Sequence, residues 1–375
     1  MISYTISVKL MNQLRELAQA FARIHHIAEG LEREELNFIH RNVRISNIGA
    51  STRIENAVLT DAEVNWIDTT LSKDGKTTAF YDARDFVLDK LSKDKERSID
   101  EVVGCRSMLQ IIYEQGKTFL PFHKTTLLGL HKELLRYYRK ADYYSGQYKQ
   151  HPNSVIRRDV STGEQVPVLV SAEPGLDTEE AMCALLEWYN EALVSHPWTI
   201  AVAVEFVFRF LAIHPFQDGN GRIGRGLFNL CLLQSSDESL SFMAPFLPID
   251  RHIERNREEY YFILRRCSSG KFSPDPKAYE YEHFLIFMLK VIETALSDFD
   301  FYRERYRLIQ ELSKSARRVL ECFKDQPETR LQTKDIVEAT EIPRPTVVAA
   351  LQTLLSQGFL QRYGKKAGTH YQLVF

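Results

Sequence analysis

Apolar residues at helical spacing run through most of the chain, and this periodicity constrains the fold more than any other feature. Leu10, Leu14, Leu17, Phe21 and Ile24 recur three or four positions apart within a helical stretch over 6–42. Between Asp100 and about Lys140, Leu127, Leu130, Leu134 and Leu135 form another stripe. A helical stretch follows Ser51, and more helices are expected over 178–195, 199–213, 220–234, about 250–266 and Tyr279–Leu312. Asp177-Thr178-Glu179-Glu180 supplies acidic residues to the first of these, where a helix N-terminus favours them. Gly146–Pro174 is the exception. There Val155-Ile156 and Val166-Pro167-Val168-Leu169-Val170 flank Ser161-Thr162-Gly163-Glu164, which signals a β-hairpin. Leu71–Thr78 and Ser92–Ser98 are polar and read as surface loops.

Composition narrows the classes. A length of 375 residues, at roughly 150 per domain, implies two or three units. With 44% apolar and 26% charged residues, disorder is excluded as the main state. The net charge of −2 excludes a whole-protein field drawing the chain onto nucleic acid or membrane. Ala201–Phe216 is the most apolar stretch, but Glu205 and Arg209 interrupt it, and a spanning helix needs about 20 apolar residues. No membrane partner is expected. Met1-Ile2-Ser3-Tyr4 lacks a charged n-region and an apolar h-region, so no signal peptide is expected. Cys105, Cys183, Cys231, Cys267 and Cys322 are scattered and never form a C-x-x-C pair, so they read as reduced, mostly buried thiols of a cytoplasmic protein.

The tail has another character. Residues 313–375 carry ten Lys and Arg against six Asp and Glu, a net charge of +4, whereas the preceding 312 residues carry −6. A helix over Ala316–Lys324, a short one over Thr333–Thr340 and a turn at Glu341-Ile342-Pro343 are expected. The next helix turns Val347, Leu351, Leu354 and Leu355 inward, and two β-like runs flank Gly364-Lys365-Lys366-Ala367-Gly368. That is the layout of a winged helix-turn-helix over 313–375.

The chemistry concentrates in 214–225, His-Pro-Phe-Gln-Asp-Gly-Asn-Gly-Arg-Ile-Gly-Arg. Pro215 disfavours α geometry at His214 and should end the preceding helix there. Gly219 and Gly221 bracket Asn220 and let backbone N–H groups face inward just before a new helix. Such a loop favours phosphate, because unpaired donors and the helix dipole both attract anions. Arg222 and Arg225, three apart, lie on one side of the first turn, and guanidinium forks suit phosphate oxygens. Asp218 stands where a carboxylate can hold Mg²⁺ that also touches phosphate. His214, with an ordinary pKa near 6.5, suits a general base.

This stretch resembles the signature of the Fic family, His-Pro-Phe-x-(Asp/Glu)-Gly-Asn-Gly-Arg-x-x-Arg, at every fixed position. Gly146-Gln147-Tyr148-Lys149, the hairpin and Glu187-Trp188-Tyr189-Asn190 look like the rest of a Fic core. The resemblance implies a mainly helical core over 100–300 with a hairpin flap, and transfer of AMP from ATP to a protein hydroxyl with release of pyrophosphate. It implies that His214 deprotonates a target Ser, Thr or Tyr and that Asp218 holds Mg²⁺. Gly219, Asn220 and Gly221 would cradle the phosphates, and Arg222 and Arg225 would neutralise the β/γ end. Phe216 would anchor the loop in the core. The flap at 149–167 would hold a protein substrate, this chain included, as an added strand. Tyr260 and Tyr261 fall where the family binds nucleotide. Where related proteins place an Asn against adenine, this sequence has Ser268.

Ser51-Thr52-Arg53-Ile54-Glu55-Asn56 fits a second pattern, (Ser/Thr)-x-x-x-Glu-(Gly/Asn). On a helix Ser51 and Glu55 share a face. The resemblance implies an inhibitory helix at about 51–65, within an N-terminal helical region over 1–99. Its Glu55 would pair with Arg225, so that ATP binds in a non-productive pose. In some Fic proteins this Glu supports removal of AMP, and many self-associate, which makes a homodimer an expectation.

Rival functions remain at the level of sequence. The winged helix could place Arg344 and Gln352 in a DNA groove, with Arg362, Lys365, Lys366 and His370 near phosphate, making the chain a transcription regulator that senses nucleotide. Few of these are basic residues of the recognition helix, which argues for weak binding and favours a protein-interaction or dimerisation role for the tail. Phosphoryl or UMP transfer on the same fold is the third reading.

Overall fold

The computed structural model of the chain describes residues 1–72, 80–91, 93–158, 165–324, 330–364 and 368–374. They divide into two units, Met1–Ala57 with Asp100–Phe299, and Val58–Ile99 with Asp300–Phe375. The N-terminal region expected over 1–99 is thus split between units. Both are mainly helical.

In the first unit the stretch expected over 6–42 is two helices, α1 (Val8–Glu29) and α2 (Arg33–Ile54). The N–H of Gly30 closes α1 on Ile27 and Ala28 carbonyls, and the chain turns there. From Ile45 to Thr52 every residue of α2 is buried, so α2 runs on through Ser51. The helix expected at about 51–65 does not begin there. Ser51 lies in the last turn of α2, Glu55 caps it, and Asn56 takes a left-handed φ of +74°.

The remaining elements of this unit are α5 (Glu96–Gln115, shared at its start with the second unit), α6 (Lys124–Leu134), β1 (Ser154–Arg158) and β2 (Gln165–Val170). They are followed by α7 (Leu176–Ser195), α8 (Thr199–Ile213), α9 (Asn220–Leu233), α10 (Glu238–Met243), α11 (Ile249–Arg255), α12 (Arg257–Ser268) and the first part of α13 (Tyr281–Glu311). The helix expected at about 250–266 is broken at Asn256. The short α10, capped by the Asp237 carboxylate on Leu240 N–H, had no periodic signal.

The apolar stretch that could not span a membrane is α8, which is buried on nearly all sides. Phe122 and Tyr189 pack against its Phe206, with the Tyr189 and Phe206 rings stacked 4.1 Å apart. Among the described residues no helix is long and apolar enough to cross a membrane. Where α5 meets α6, an added Cβ at Gly104 would lie 1.9 Å from the Leu134 carbonyl oxygen. Gly104→Ala is therefore expected to cost about 2 kcal/mol or more of stability. Urea unfolding reads this as a lower midpoint, and an unchanged midpoint would mean the two helices can separate freely.

The expected hairpin forms: β1 and β2 pair antiparallel, Ser154 opposite Val170 and Arg158 opposite Gln165, with a bulge between Val155 and Ile156. Its turn, Ser161 to Glu164, lies outside the described residues. The far end of β2 docks on the loop after α12 through Val170 N–H to Gly270 C=O (2.9 Å) and Phe272 N–H to Val170 C=O (2.7 Å).

The second unit holds α3 (Asp61–Leu71), α4 (Phe80–Leu91), the rest of α13, α14 (Lys314–Lys324), α15 (Thr333–Thr340), α16 (Arg344–Ser356), β3 (Leu360–Tyr363) and β4 (His370–Leu373). The Thr60 hydroxyl and Glu63 carboxylate form a capping box that starts α3. In the tail, Val319, Leu320, Phe323, Ile336, Val347, Leu351, Leu354 and Phe359 make one apolar core. This is the three-helix and two-strand arrangement expected from its spacing. Lys365 and Lys366 lie outside the described residues, and His370 is half-buried, its ring bonded between Gln332 and the Gly368 carbonyl.

Candidate active site

The loop between α8 and α9 is built by its own sequence. His214 ends α8 in the left-handed region (φ +52°), a conformation that costs a non-glycine residue about 1–2 kcal/mol and persists only where neighbours hold it. Phe216 is fully buried and stacks on His131, ring centroids 3.8 Å apart. Asn220 closes the loop on itself: its Oδ1 accepts from Phe216 N–H (2.9 Å) and its Nδ2 donates to Phe216 C=O (2.6 Å). Gly219, at φ +83°, turns the chain into α9. The first backbone bond of α9 runs from Ile223 N–H to Gly219 C=O (3.0 Å). The amides of Asn220, Gly221 and Arg222 precede it, as the donors of an anion site must.

Beside this helix N-terminus lies a cavity of about 200 Å³. Its polar lining includes Glu55, His214, Gln217, Asp218 and Arg225, with the Gly219–Gly221 backbone, and Tyr260, Tyr261, Phe208 and Leu264 stand on other walls. His214 Nδ1 donates to the Leu211 carbonyl (3.3 Å), which leaves Nε2 as the lone-pair nitrogen. Burial, and then the Lys149 ammonium, push the imidazole pKa down to about 4 against the Leu211 bond and the Glu55 and Asp218 charges. The ring is neutral at pH 7 and can accept a proton.

Arg225 is buried and held on several sides. Its Nε donates to Ser51 Oγ (2.9 Å), and one terminal nitrogen donates to Ser51 C=O (2.8 Å) and Glu55 Oε1 (2.9 Å). Asp250, equally buried, stands 3.9 Å from Nε. Burial disfavours the guanidinium charge, but Glu55 and Asp250 outweigh it and raise the pKa above the ordinary value. The Glu55 carboxylate also lies against the first turn of α9: a Cβ at Gly221 would lie 2.1 Å from its Oε1. Asn56 faces Arg257, whose guanidinium donates to its Oδ1 (2.9 Å).

Not every expected residue reaches the cavity. Arg222 is buried behind the loop, where it donates to Asp218 Oδ1 (3.2 Å) and faces Glu101 at 4.0 Å. Residues three apart on a helix diverge by about 60°, enough to aim Arg225 at the cavity and Arg222 at the core. The Asn220 side chain is committed to the loop, so only its backbone faces a ligand. Ser268 is buried within α12, its hydroxyl bonded to the Leu264 carbonyl (2.9 Å), and does not line the cavity. Ser51 reaches the site only through Arg225.

Asp218 Oδ1 accepts from the Gly219 N–H (2.6 Å), and the side chain keeps about one third of its surface exposed. Among the described residues no three His, Cys, Asp or Glu side chains gather to hold a metal. A single, partly exposed carboxylate suits a cation whose other ligands are phosphate and water.

Residues that spacing did not mark include His131, Asp250 and Gln217. His131 Nε2 donates to the Asp218 carbonyl (3.0 Å) and its Nδ1 accepts from Gly146 N–H (3.0 Å), bracing the loop from α6. Asp250 and Arg225 are 25 positions apart and are joined only by the tertiary fold, in which α9 and α11 both pack on α2.

Residues 121–232, which include the loop and His214, match the Fic/DOC family profile, and 316–364 match the IclR helix-turn-helix domain. Protein adenylyltransferase fic-1 of Caenorhabditis briggsae is 30% identical over 95 residues, 25% of this chain and 17% of that one. Protein adenylyltransferase Fic of Drosophila virilis is 22% identical over 271 residues, 72% of this chain and 46% of that one. The chain thus spans less than half the length of these two relatives. In fold it is similar to a Fic family protein of Desulfovibrio desulfuricans G20, with a TM-score of 0.57 at 22% identity over 100% of this chain and 98% of that one. The chain therefore carries a Fic domain around the His214 cavity and, C-terminal to it, a helix-turn-helix domain of the IclR type.

Proposed function

We propose that the chain is a protein adenylyltransferase that moves AMP from ATP to a Ser, Thr or Tyr hydroxyl of a protein, with Glu55 as its brake. The observation that carries this reading is the convergence of a neutral imidazole, the α9 amide cradle and Arg225 on one cavity. His214 Nε2 takes the proton of the target hydroxyl. The hydroxyl oxygen bonds the α-phosphorus as the α–β bridging bond breaks, and pyrophosphate leaves with the bonding pair. The amides of Asn220, Gly221 and Arg222 stabilise the phosphate charge, and Arg225 neutralises its far end once Glu55 withdraws. Asp218 would hold Mg²⁺, which supplies charge neutralisation on the phosphates. Tyr260, Tyr261 and Leu264 form a wall suited to a base. The hairpin edge over 149–167 would present the target segment as an added strand.

Intact mass after incubation of the Glu55→Gly form with ATP, Mg²⁺ and a lysate tests the reading. AMP adds about 329 Da and phosphate about 80 Da, so the increment separates AMP transfer from phosphoryl transfer on the same fold. UTP in place of ATP tests UMP transfer.

The depressed His214 pKa predicts an unusual acid limb. An ordinary imidazole would be about tenfold depleted in its base form at pH 5.5. Here the folded pKa is about 4, so the base form persists through that range and is lost only as pH approaches 4. At saturating ATP the rate at about pH 5.5 is expected within about twofold of that at pH 7.5. A tenfold fall would show that His214 titrates normally.

The helix-turn-helix domain favours a second reading, DNA binding by the tail. Arg344, Gln352 and Arg362 are exposed there, on a region of net charge +4. A gel shift of the full chain that vanishes with added salt supports it, and no shift at low salt removes it. Cys105, Cys183, Cys231, Cys267 and Cys322 are thiols rather than disulfides among the described residues, as a reducing compartment such as the cytoplasm would leave them.

A further inference from the structure

Lys149 is buried beside the loop, at the foot of the hairpin, and its ammonium uses all three protons on uncharged acceptors. Nζ donates to Asn153 Oδ1 (3.0 Å), Ser171 Oγ (2.8 Å) and the Ile213 carbonyl (3.1 Å). Its backbone N–H donates to the Pro215 carbonyl (2.8 Å). One residue therefore grips the carbonyls on both sides of His214. Asn153 Nδ2 takes the next one, of Phe216 (2.7 Å), and Ser171 Oγ ties Asn153 C=O (2.7 Å) back to the same cluster.

Three features set this apart from an ordinary buried lysine. First, the Ile213 carbonyl is one of those that the end of α8 leaves without a helical partner, and a cation is favoured at that end of the helix dipole. Second, His214 between the two gripped carbonyls holds a left-handed conformation, which needs support from outside the loop. Third, the cation lies close enough to oppose protonation of the imidazole, while Glu55 and Asp218 pull the other way. Burial also lowers the lysine's own pKa, to about 8, against the opposing charge of Glu173, so the ammonium persists at neutral pH.

We infer that Lys149 is a positioning residue for the general base, clamping the backbone on both sides of His214 and keeping its imidazole neutral and in one tautomer. The inference rests on His214 having the role proposed above. It extends that role from the loop to the hairpin, because the strand that would hold the target and the base that would deprotonate it share one clamp. Target engagement at the hairpin edge and placement of Nε2 are then mechanically linked.

The test is a pH titration of the full-length, ¹⁵N-labelled protein followed by histidine side-chain spectra, with His214→Ala assigning the signal. In the wild type His214 stays in the Nδ1–H form down to about pH 5. Lys149→Met keeps the length of the side chain and removes the charge. It is expected to raise the His214 midpoint by about one pH unit and to admit the second tautomer. An unchanged midpoint and tautomer in a Lys149→Met protein with wild-type circular dichroism overturns the inference. Should that variant fail to fold, Ser171→Ala removes one acceptor of the ammonium and is expected to move the midpoint the same way by a smaller step, and no movement there counts equally against it. AMP incorporation by Glu55→Gly reads the enzymatic proposal separately, so either can fail while the other stands.

Discussion

Replacing Glu55 by glycine is expected to raise AMP incorporation from labelled ATP by about 10- to 100-fold. The carboxylate now spends one charge-assisted hydrogen bond on Arg225 and lies across the α9 N-terminus, where a terminal phosphate would need both. A hydrogen bond to a charged group contributes about 1.5–3 kcal/mol, and each 1.4 kcal/mol is tenfold in rate or affinity. The guanidinium should stay in place without Glu55, because Ser51 holds it through two bonds and Asp250 faces it. The gain should therefore appear as productive nucleotide binding rather than as a collapsed site. Incorporation equal to that of the wild type would remove the brake from the account.

Changing His214 to alanine in the Glu55→Gly background should lower incorporation by about 10²- to 10⁴-fold, the usual contribution of a positioned base. Nucleotide affinity, measured by calorimetry, should stay within about threefold, because in the proposed mechanism His214 meets the target hydroxyl while the α9 amides would hold the phosphates. The split between rate and affinity is the informative part. If ATP binding vanished with the imidazole, His214 would be holding the loop together rather than taking a proton. The intraloop bonds of Asn220 and the stacking of Phe216 on His131 argue that the loop survives without it.

The local parts of this site were legible in the sequence because their physics is local. Pro215 after His214, glycine at 219 and a helix immediately afterwards specify a loop whose amides face a ligand, and the structure has that loop. The four-residue spacing of Ser51 and Glu55 put them on one side of a helix end, and both meet Arg225. The asparagine that follows Glu55 is explained by a positive φ that few side chains tolerate. The hairpin and the tail core were equally plain from alternation and helical spacing.

What spacing misjudged was direction and partnership. Arg222 and Arg225 looked equivalent, yet one serves Asp218 and the core while the other faces the cavity. Ser268 fell at the right distance along the chain but points back into its own helix. Helix ends at Gly30, Glu55 and Asn256 were missed because the apolar stripes on either side are compatible with continuation. Asp250 and His131 carried no motif of their own, and the motif around Lys149 gave no hint of its bonds to Ile213 and Pro215, since each acts across a contact between segments far apart in sequence.

Sequence alone therefore determined the helical class and the glycine turn that opens α9, both of which follow from backbone preference within a dozen residues. Only the tertiary structure decided which side chains face the cavity, what keeps the imidazole neutral and where Glu55 rests. Those depend on burial and on charges brought together from α2, α9, α11 and the hairpin, and no one-dimensional spacing encodes the distance between them.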